Sequence, residues 1–118
     1  MLEFCVASKQ DFSLICDVWR EGFPEDTAED VMLFWQHLGQ NATCLLGKKD
    51  EHPVSMAFLI PANIGGEEWW YVYAAVTRKA ERGNGYFAAL LDAAAALALQ
   101  KNVAGLFLRP AEESLFSY

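Results

Sequence analysis

The sequence is poor in the residues that cross-link small secreted proteins or bind structural metals. Its 118 residues include three cysteines, Cys5, Cys16 and Cys44, and no C-x-x-C pair. Because their number is odd and their spacing wide, we expect neither disulfides nor a zinc site, but three small buried side chains in a reducing compartment. The two histidines, His37 and His52, lack the spacing of metal ligands, so no metal is expected.

Positive charge and long apolar runs are also scarce. Nine residues are Lys or Arg and 16 are Asp or Glu, which gives a formal net charge of -7. This balance disfavours a nucleic-acid or anionic-membrane partner and suits a cationic or amine-bearing small molecule better, although acidity also keeps a protein in solution without any partner. No apolar run approaches a membrane span of about 18 residues, and no signal-like segment opens the chain, so we expect a cytoplasmic protein.

The sequence does contain enough apolar material for a globular core. Apolar residues make up 53% of the chain and charged residues 21%, which is typical of a folded protein. Its length is near that of the commonest domains, and it has no internal repeat or low-complexity linker. We therefore expect a single domain over residues 1–118.

The first part of the chain predicts a strand and two helices. Apolar residues alternate with others in a first strand, with Leu2, Phe4 and Val6 on one face. Helices are predicted to begin after Ser8 and Thr27, because each is followed three residues later by an aspartate, as in a capping box.

Three strand signals follow, over residues 42–46, 54–60 and 68–76. The second is apolar on both faces and should be a central strand that ends at Pro61. The connections are too short for crossovers, so the three strands should form an antiparallel meander.

The rest of the chain predicts a helix, a strand and a helix. An alanine- and leucine-rich pattern runs to about Lys101, and residues 104–108 read as a buried strand. That strand should lie parallel to the 68–76 strand through a right-handed crossover. A last helix is predicted from residue 111 to 118. The expected fold is α+β, with a mixed, mostly antiparallel sheet flanked by helices.

Between the meander and the alanine-rich helix lies a segment that we call the glycine loop, residues 82–87, which begins Arg82-Gly83-Asn84-Gly85. Such a loop at a helix start favours anion binding, because first-turn N–H groups lack intrahelical partners and carry a partial positive charge. The glycines could instead serve only a tight turn. The dinucleotide motif G-x-G-x-x-A also fits, but six residues separate Val76 from Gly83, whereas in the dinucleotide fold the glycine follows the strand almost at once.

The loop and the order of elements together resemble the GNAT N-acetyltransferase superfamily. The superfamily signature Arg/Gln-x-x-Gly-x-Gly/Ala is similar to Arg82-Gly83-Asn84-Gly85-Tyr86-Phe87, with Phe87 in place of the final Gly or Ala. The resemblance covers essentially the whole chain and implies a GNAT-like acyl-CoA N-acyltransferase fold. It also implies an enzyme that transfers an acetyl group from acetyl-CoA to an amine of a small molecule or peptide by direct attack.

The resemblance further implies which residues bind acetyl-CoA. The glycine loop would hold its pyrophosphate. Because the family splays its fourth and fifth strands, the backbone of residues 75–77 would bind the pantetheine arm and the thioester carbonyl. A β-bulge or a plain strand end is the other interpretation of that stretch. The implied residues are Ala75, Val76, Thr77, Arg82, Gly83, Asn84, Gly85, Tyr86 and Phe87.

Candidates for proton transfer are few. The tyrosine with which the family protonates the leaving thiolate lies on its fourth helix, and Tyr118 is the nearest match. Glu67 and Glu68 are candidate bases, although a solvated strand edge is the favoured interpretation of both. Three aromatic residues at period two could line an acceptor pocket or simply fill the core; they are Trp69, Tyr71 and Tyr73.

The family normally continues into two further strands, whereas this sequence ends at Tyr118. We therefore expect a C-terminally incomplete domain. The alternative function is a non-catalytic, truncated module that binds acetyl-CoA or forms a homodimer through an open sheet edge.

Overall fold

The computed structural model describes residues 2–38 and 41–108, without the side chain of Leu38. Two 3-10 turns, Lys9–Asp11 and Lys79–Glu81, precede α1 and α3. The main elements are β1 (Leu2–Val6), α1 (Phe12–Gly22), α2 (Ala28–Leu38), β2 (Thr43–Lys49), β3 (His52–Ile64), β4 (Glu67–Thr77), α3 (Tyr86–Gln100) and β5 (Leu106–Phe107).

The strands form one mixed sheet in the order β1-β2-β3-β4-β5. The first three neighbouring pairs are antiparallel, and β4 and β5 are parallel. The predicted α+β fold, the meander, the central position of β3 and the parallel pair are therefore confirmed. The last predicted helix, with Tyr118, lies outside the described residues.

The two faces of the sheet carry different helices. Ile15 and Val18 of α1 and Val31 of α2 pack with Met56 and Phe58 on one face. On the other face, Leu90, Ala94 and Ala98 of α3 pack with sheet residues that include Ala57, Leu59, Val72 and Ala75. Because β4 contributes to both clusters, packing from both sides fixes its position.

Local signals place the helix starts. The Thr27 backbone N–H donates to Asp30 Oδ2 at 2.9 Å, and the Asp30 N–H donates to Thr27 Oγ1 at 3.1 Å, which is the capping box predicted for α2. At Ser8 the backbone N–H donates to Asp11 Oδ2 at 3.0 Å, and a 3-10 turn precedes α1 there. None of the helices among the described residues is long and apolar enough to cross a membrane.

Pro61 does not end its strand, contrary to the prediction. β3 runs on to Ile64, and Pro61 pairs with Trp70 of β4. The pairing of β2 with β3 stops at Leu59, so Pro61 has a neighbouring strand on one side only. A proline is tolerated at such a position because its missing N–H leaves no gap in a hydrogen-bonded ladder.

The prediction for β1 is also wrong in part. Val6, predicted on the same face as Leu2 and Phe4, is 55% exposed, whereas those two residues are half-buried. Cys5 is exposed as well, whereas Cys16 and Cys44 are buried as expected. β1 is the edge strand of the sheet, and only its first part lies over the cluster under α3.

This difference in exposure predicts selective thiol labelling. Burial raises the pKa of the Cys44 thiol well above its usual range, and burial followed by the Asp17 charge raises that of Cys16. Both should stay protonated and shielded at about pH 8, so that iodoacetamide labels Cys5 alone in the native protein. Mass spectrometry of labelled peptides measures this. Labelling of all three thiols at one rate would contradict the structure, and labelling in denaturant provides the reference rate.

Candidate functional site

The β4 strand loses its neighbour on one side halfway along its length. Within the described residues, β5 pairs with β4 only at Trp70 and Tyr71, and the Trp70 N–H donates to the Gly105 carbonyl at 2.9 Å. On the opposite side, β4 stays paired with β3 as far as Thr77. Within the part of the chain that the structure describes, the pairing of β4 with β5 therefore ends at Tyr71, whereas its pairing with β3 continues.

The direction of the backbone groups at the end of β4 follows from its pairing with β3. The Arg78 N–H donates to the Val54 carbonyl at 2.8 Å, so Arg78 faces β3. Because successive residues of an antiparallel strand alternate in direction, the N–H and carbonyl of Thr77 point away from β3. They lie on the side of β4 that β5 pairs with at Trp70 and Tyr71.

A β-bulge occurs in this part of β4. Tyr73 pairs with Phe58 and Val76 with Met56, so that Ala74 and Ala75 together oppose one residue of β3. The backbone of Ala74 has φ 55°, in the left-handed region that few residues with a side chain adopt. The bulge, one of the interpretations left open by the sequence, is thus present, and the binding of the pantetheine arm stays a prediction. We call the backbone of residues 74–77 the open edge.

The side chains of the open edge itself point into the sheet. Those of Ala75, Val76 and Thr77 are no more than 6% exposed and pack into the sheet. What β4 presents beside β5 is therefore backbone, whose N–H groups can donate to a ligand carbonyl.

The glycine loop follows directly and is held by its own polar side chains. Arg82 Nε donates to the Thr77 carbonyl at 3.0 Å, which closes the turn between the end of β4 and the loop. Asn84 Nδ2 donates to the Glu81 carbonyl at 3.0 Å. Arg82 and Asn84 therefore shape the loop from within.

Backbone conformation, and not lack of space for a side chain, explains why glycine occupies positions 83 and 85. Gly83 and Gly85 have φ 87° and 77°, and a Cβ built on either would meet no atom of the described residues within 4 Å. Gly85 is the N-cap of α3, and its carbonyl accepts the first helical hydrogen bond, from the Ala89 N–H at 3.0 Å. The start of α3 thus faces open space, where its first-turn N–H groups can receive an anion.

The other two predicted loop residues lie at the base of this helix. Tyr86 and Phe87 are both half-buried, and Phe87 packs against the cluster beneath α3. An aromatic side chain at position 87 therefore anchors the first turn of the helix to the sheet.

The candidate bases lie far from the open edge. Glu67 and Glu68 are exposed at the start of β4, and Glu68 Oε2 accepts a hydrogen bond from Trp70 Nε1 at 3.1 Å. Seven residues of strand separate Glu68 from Ala75, which is roughly 20 Å. The structure does not bring these carboxylates together with the loop.

Aromatic rings lie next to the open edge on the face that carries α1 and α2. Tyr73 stacks on Phe34 of α2 with 5.1 Å between ring centroids, and Tyr71 stacks on Phe107 of β5 at the same distance. Tyr73 is 38% exposed. We call Phe34, Tyr71, Tyr73 and Phe107 the aromatic surface. These side chains are partly buried and partly accessible.

Glu21 contacts the segment that leads into the glycine loop, and sequence reasoning missed it. Its Oε1 accepts a hydrogen bond from the Lys79 backbone N–H at 2.8 Å, and its Oε2 lies 3.5 Å from Arg78 Nε. The sequence contains no local signal for these contacts, because 58 residues separate Glu21 from Lys79.

The strained position at Ala74 predicts a sharp difference between two adjacent substitutions. Ala74 and Ala75 are both buried, so valine adds the same volume at either, but only Ala74 has a positive φ. We expect Ala74→Val to lower the free energy of unfolding by about 2 kcal/mol more than Ala75→Val, because a β-branched residue is disfavoured in the left-handed region. Urea denaturation measures both. Equal losses would show that position 74 is not conformationally restricted.

Comparisons with known proteins agree with this architecture. A family model described as the acetyltransferase (GNAT) family matches residues 11–116. The sequence matches no curated protein.

Solved structures of acetyltransferases share the fold at low sequence identity. A GNAT family acetyltransferase from Staphylococcus aureus superposes with a TM-score of 0.82 at 14% identity, over 99% of this chain and 92% of that one. A ribosomal-protein-alanine N-acetyltransferase from Brucella melitensis has a TM-score of 0.78 at 16% identity, over 92% and 79%. A predicted acetyltransferase from Clostridium acetobutylicum, solved with acetyl-CoA, has a TM-score of 0.75 at 14% identity, over 92% and 80%.

The family match spans most of the sequence, and the chain shares its fold with the matched structures. The chain belongs to the acetyltransferase (GNAT) family.

Proposed function

We propose that this protein transfers an acetyl group from acetyl-CoA to an amine of a small molecule or peptide by direct attack. The observation that carries the proposal is the continuity of the site. One segment leads from the bulge at Ala74 through the open edge and the glycine loop to the start of α3. Such a segment offers backbone donors for the pyrophosphate of an acyl-CoA and for its pantetheine arm and thioester.

The glycine loop is the proposed pyrophosphate site. The open space in front of Gly83 and Gly85 suits close approach of a phosphate to the backbone. The donors would be the backbone N–H groups at the start of α3, reinforced by the partial positive charge of the helix. The residues proposed to hold this group are Arg82, Gly83, Asn84, Gly85, Tyr86 and Phe87.

The open edge is the proposed site of the pantetheine arm and the thioester. When bound, acetyl-CoA supplies an activated acetyl group. The backbone of Ala75, Val76 and Thr77 is proposed to hold the arm. Those N–H groups that point away from β3, among them that of Thr77, would stabilise the negative charge that develops on the thioester oxygen. Since these donors are backbone groups, side-chain substitution there should act through the strand geometry.

Proton transfer is proposed for Tyr118, which would protonate the departing thiolate. The acceptor amine is proposed to enter over the aromatic surface, next to the open edge. An acidic chain with a formal charge of -7 would attract a cationic amine toward that entrance. The Brucella neighbour is named for an alanine of ribosomal proteins, which is a peptide acceptor.

A non-catalytic module that binds acetyl-CoA is the second candidate. It is favoured by the short β5, which has two residues and, within the described part of the chain, no neighbour on its outer side. An edge of this kind can pair with a second copy. The two candidates share the cofactor site and differ in whether CoA is released. A cytoplasmic location stays a prediction.

Titration of acetyl-CoA into matched glycine variants tests the cofactor site. Gly85 and Gly66 both have positive φ, and a Cβ at either meets no described atom within 4 Å. Glutamate should therefore strain the backbone similarly at both positions, but only Gly85→Glu places a carboxylate where the pyrophosphate is proposed to bind. We expect Gly85→Glu to weaken binding at least about 30-fold, a loss of about 2 kcal/mol, and Gly66→Glu to bind like the wild type.

Isothermal calorimetry measures the affinity, and thermal unfolding of both variants shows whether they are folded. Equal binding by the two variants would exclude the glycine loop as the pyrophosphate site, and no binding by the wild type would exclude the proposed function. An assay of CoA release with a panel of amines separates the candidates. Release with any amine establishes transfer, whereas binding without release favours the module.

A further inference from the structure

The last turn of α1 lies between the aromatic surface and the glycine loop. Trp19 points toward the aromatic surface, with its ring centroid 6.3 Å from that of Tyr73. Two residues later, Glu21 contacts Arg78 and Lys79 at the entrance to the loop. One rigid helical turn thus contacts the proposed acceptor side and the proposed cofactor side.

Close packing fixes the end of α1 against β4. A Cβ added to Gly22 would lie 2.7 Å from Val76 Cγ2, which is closer than such atoms approach. The absence of a side chain at Gly22 therefore lets the helix end approach the strand. This contact positions the neighbouring Glu21 beside the segment that follows Thr77.

The Glu21 carboxylate acts on the first residue of a 3-10 turn. Lys79 begins the turn Lys79–Glu81, and its N–H belongs to the group of donors that a short helix leaves without a partner. Glu21 Oε1 satisfies this donor at 2.8 Å. The turn ends at Glu81, and the next residue, Arg82, donates back to the Thr77 carbonyl. The direction of the glycine loop therefore depends on where this turn begins.

The ion pair with Arg78 is the weaker of the two contacts. Glu21 Oε2 and Arg78 Nε are 3.5 Å apart, and both side chains are about 30% exposed, at 32% and 28%. Ion pairs of this length and exposure are screened by water and contribute little. The short hydrogen bond to the Lys79 N–H is charge-assisted and directional.

We propose that Glu21 is a positioning residue that holds the glycine loop in its cofactor-binding position by accepting the Lys79 N–H. The proposal rests on the proposed function, since it assigns a role toward acetyl-CoA. Glu21 touches neither cofactor nor acceptor in this account. It acts through the 3-10 turn. The affinity for acetyl-CoA therefore depends on the position of the end of α1 relative to β4.

Three variants separate the two contacts. Glu21→Ala removes both. Glu21→Gln keeps an oxygen for the Lys79 N–H but loses the ion pair, and Arg78→Ala loses the ion pair while the carboxylate stays. Asp17→Ala, which truncates an exposed carboxylate on the same helix, is the matched control.

The first measurement is amide hydrogen exchange in residues 79–85 without any ligand. We expect Glu21→Ala to exchange about tenfold faster at these amides, as the loss of one hydrogen bond to a charged group predicts. Glu21→Gln, Arg78→Ala and Asp17→Ala should stay within about threefold of the wild type. Thermal unfolding shows whether any change is local or global.

The second measurement is the affinity for acetyl-CoA, with steady-state kinetics where turnover is observed. Glu21→Ala should raise Kd and the KM for acetyl-CoA about tenfold and leave kcat within about twofold, because the loop is misplaced and the reacting groups are not. Glu21→Gln should restore affinity to within about threefold. A purely structural role would lower stability in both Glu21 variants and would not separate KM from kcat.

The outcomes distinguish this inference from the proposed function. Unchanged exchange at residues 79–85 in Glu21→Ala overturns the inference whether or not acetyl-CoA binds. If Glu21→Ala exchanges faster but the wild type binds no acetyl-CoA, the contact between Glu21 and the turn is supported and the proposed cofactor site is overturned. If Arg78→Ala changes exchange and affinity as much as Glu21→Ala does, the ion pair and not the hydrogen bond to Lys79 positions the loop, and the proposal is overturned.

Discussion

Beyond Tyr71, the backbone groups of β4 that point away from β3 meet no strand among the described residues. Unpaired backbone in a sheet normally recruits another strand, because each unsatisfied group costs free energy. Here α1 and α2 hold β4 from one face and α3 holds it from the other. The pairing of β5 stops at Tyr71, where its ring stacks on Phe107.

The bulge and the glycine loop also use backbone conformation to orient backbone groups. Ala74 adopts a left-handed conformation in the bulge, and Gly83 and Gly85 adopt it in the loop. All three positions orient backbone groups and none of them presents a functional side chain. The chain shares its fold with structures at 14–16% sequence identity, and geometry that depends on the backbone can be formed by different side chains.

The sequence predicted those features that depend on local chemistry. Capping boxes located the starts of helical segments after Ser8 and Thr27, and the crossover rule gave the parallel β5. Features that depend on distant partners were missed. The run of β3 past Pro61 follows from where β2 stops, the exposure of Val6 follows from the edge position of β1, and the role of Glu21 depends on a contact 58 residues away. The two consecutive small residues Ala74 and Ala75 amid large aromatics were the available signal for the bulge.

The central claim is that the open edge and the start of α3 form one acetyl-CoA site. Titration of acetyl-CoA into isotopically labelled protein, followed by amide resonances in two-dimensional NMR, tests it most directly. The account predicts that the largest shifts occur together at the amides of Ala75, Thr77, Gly83 and Gly85. Shifts concentrated elsewhere, or shifts in the loop without any change in the open edge, would contradict it.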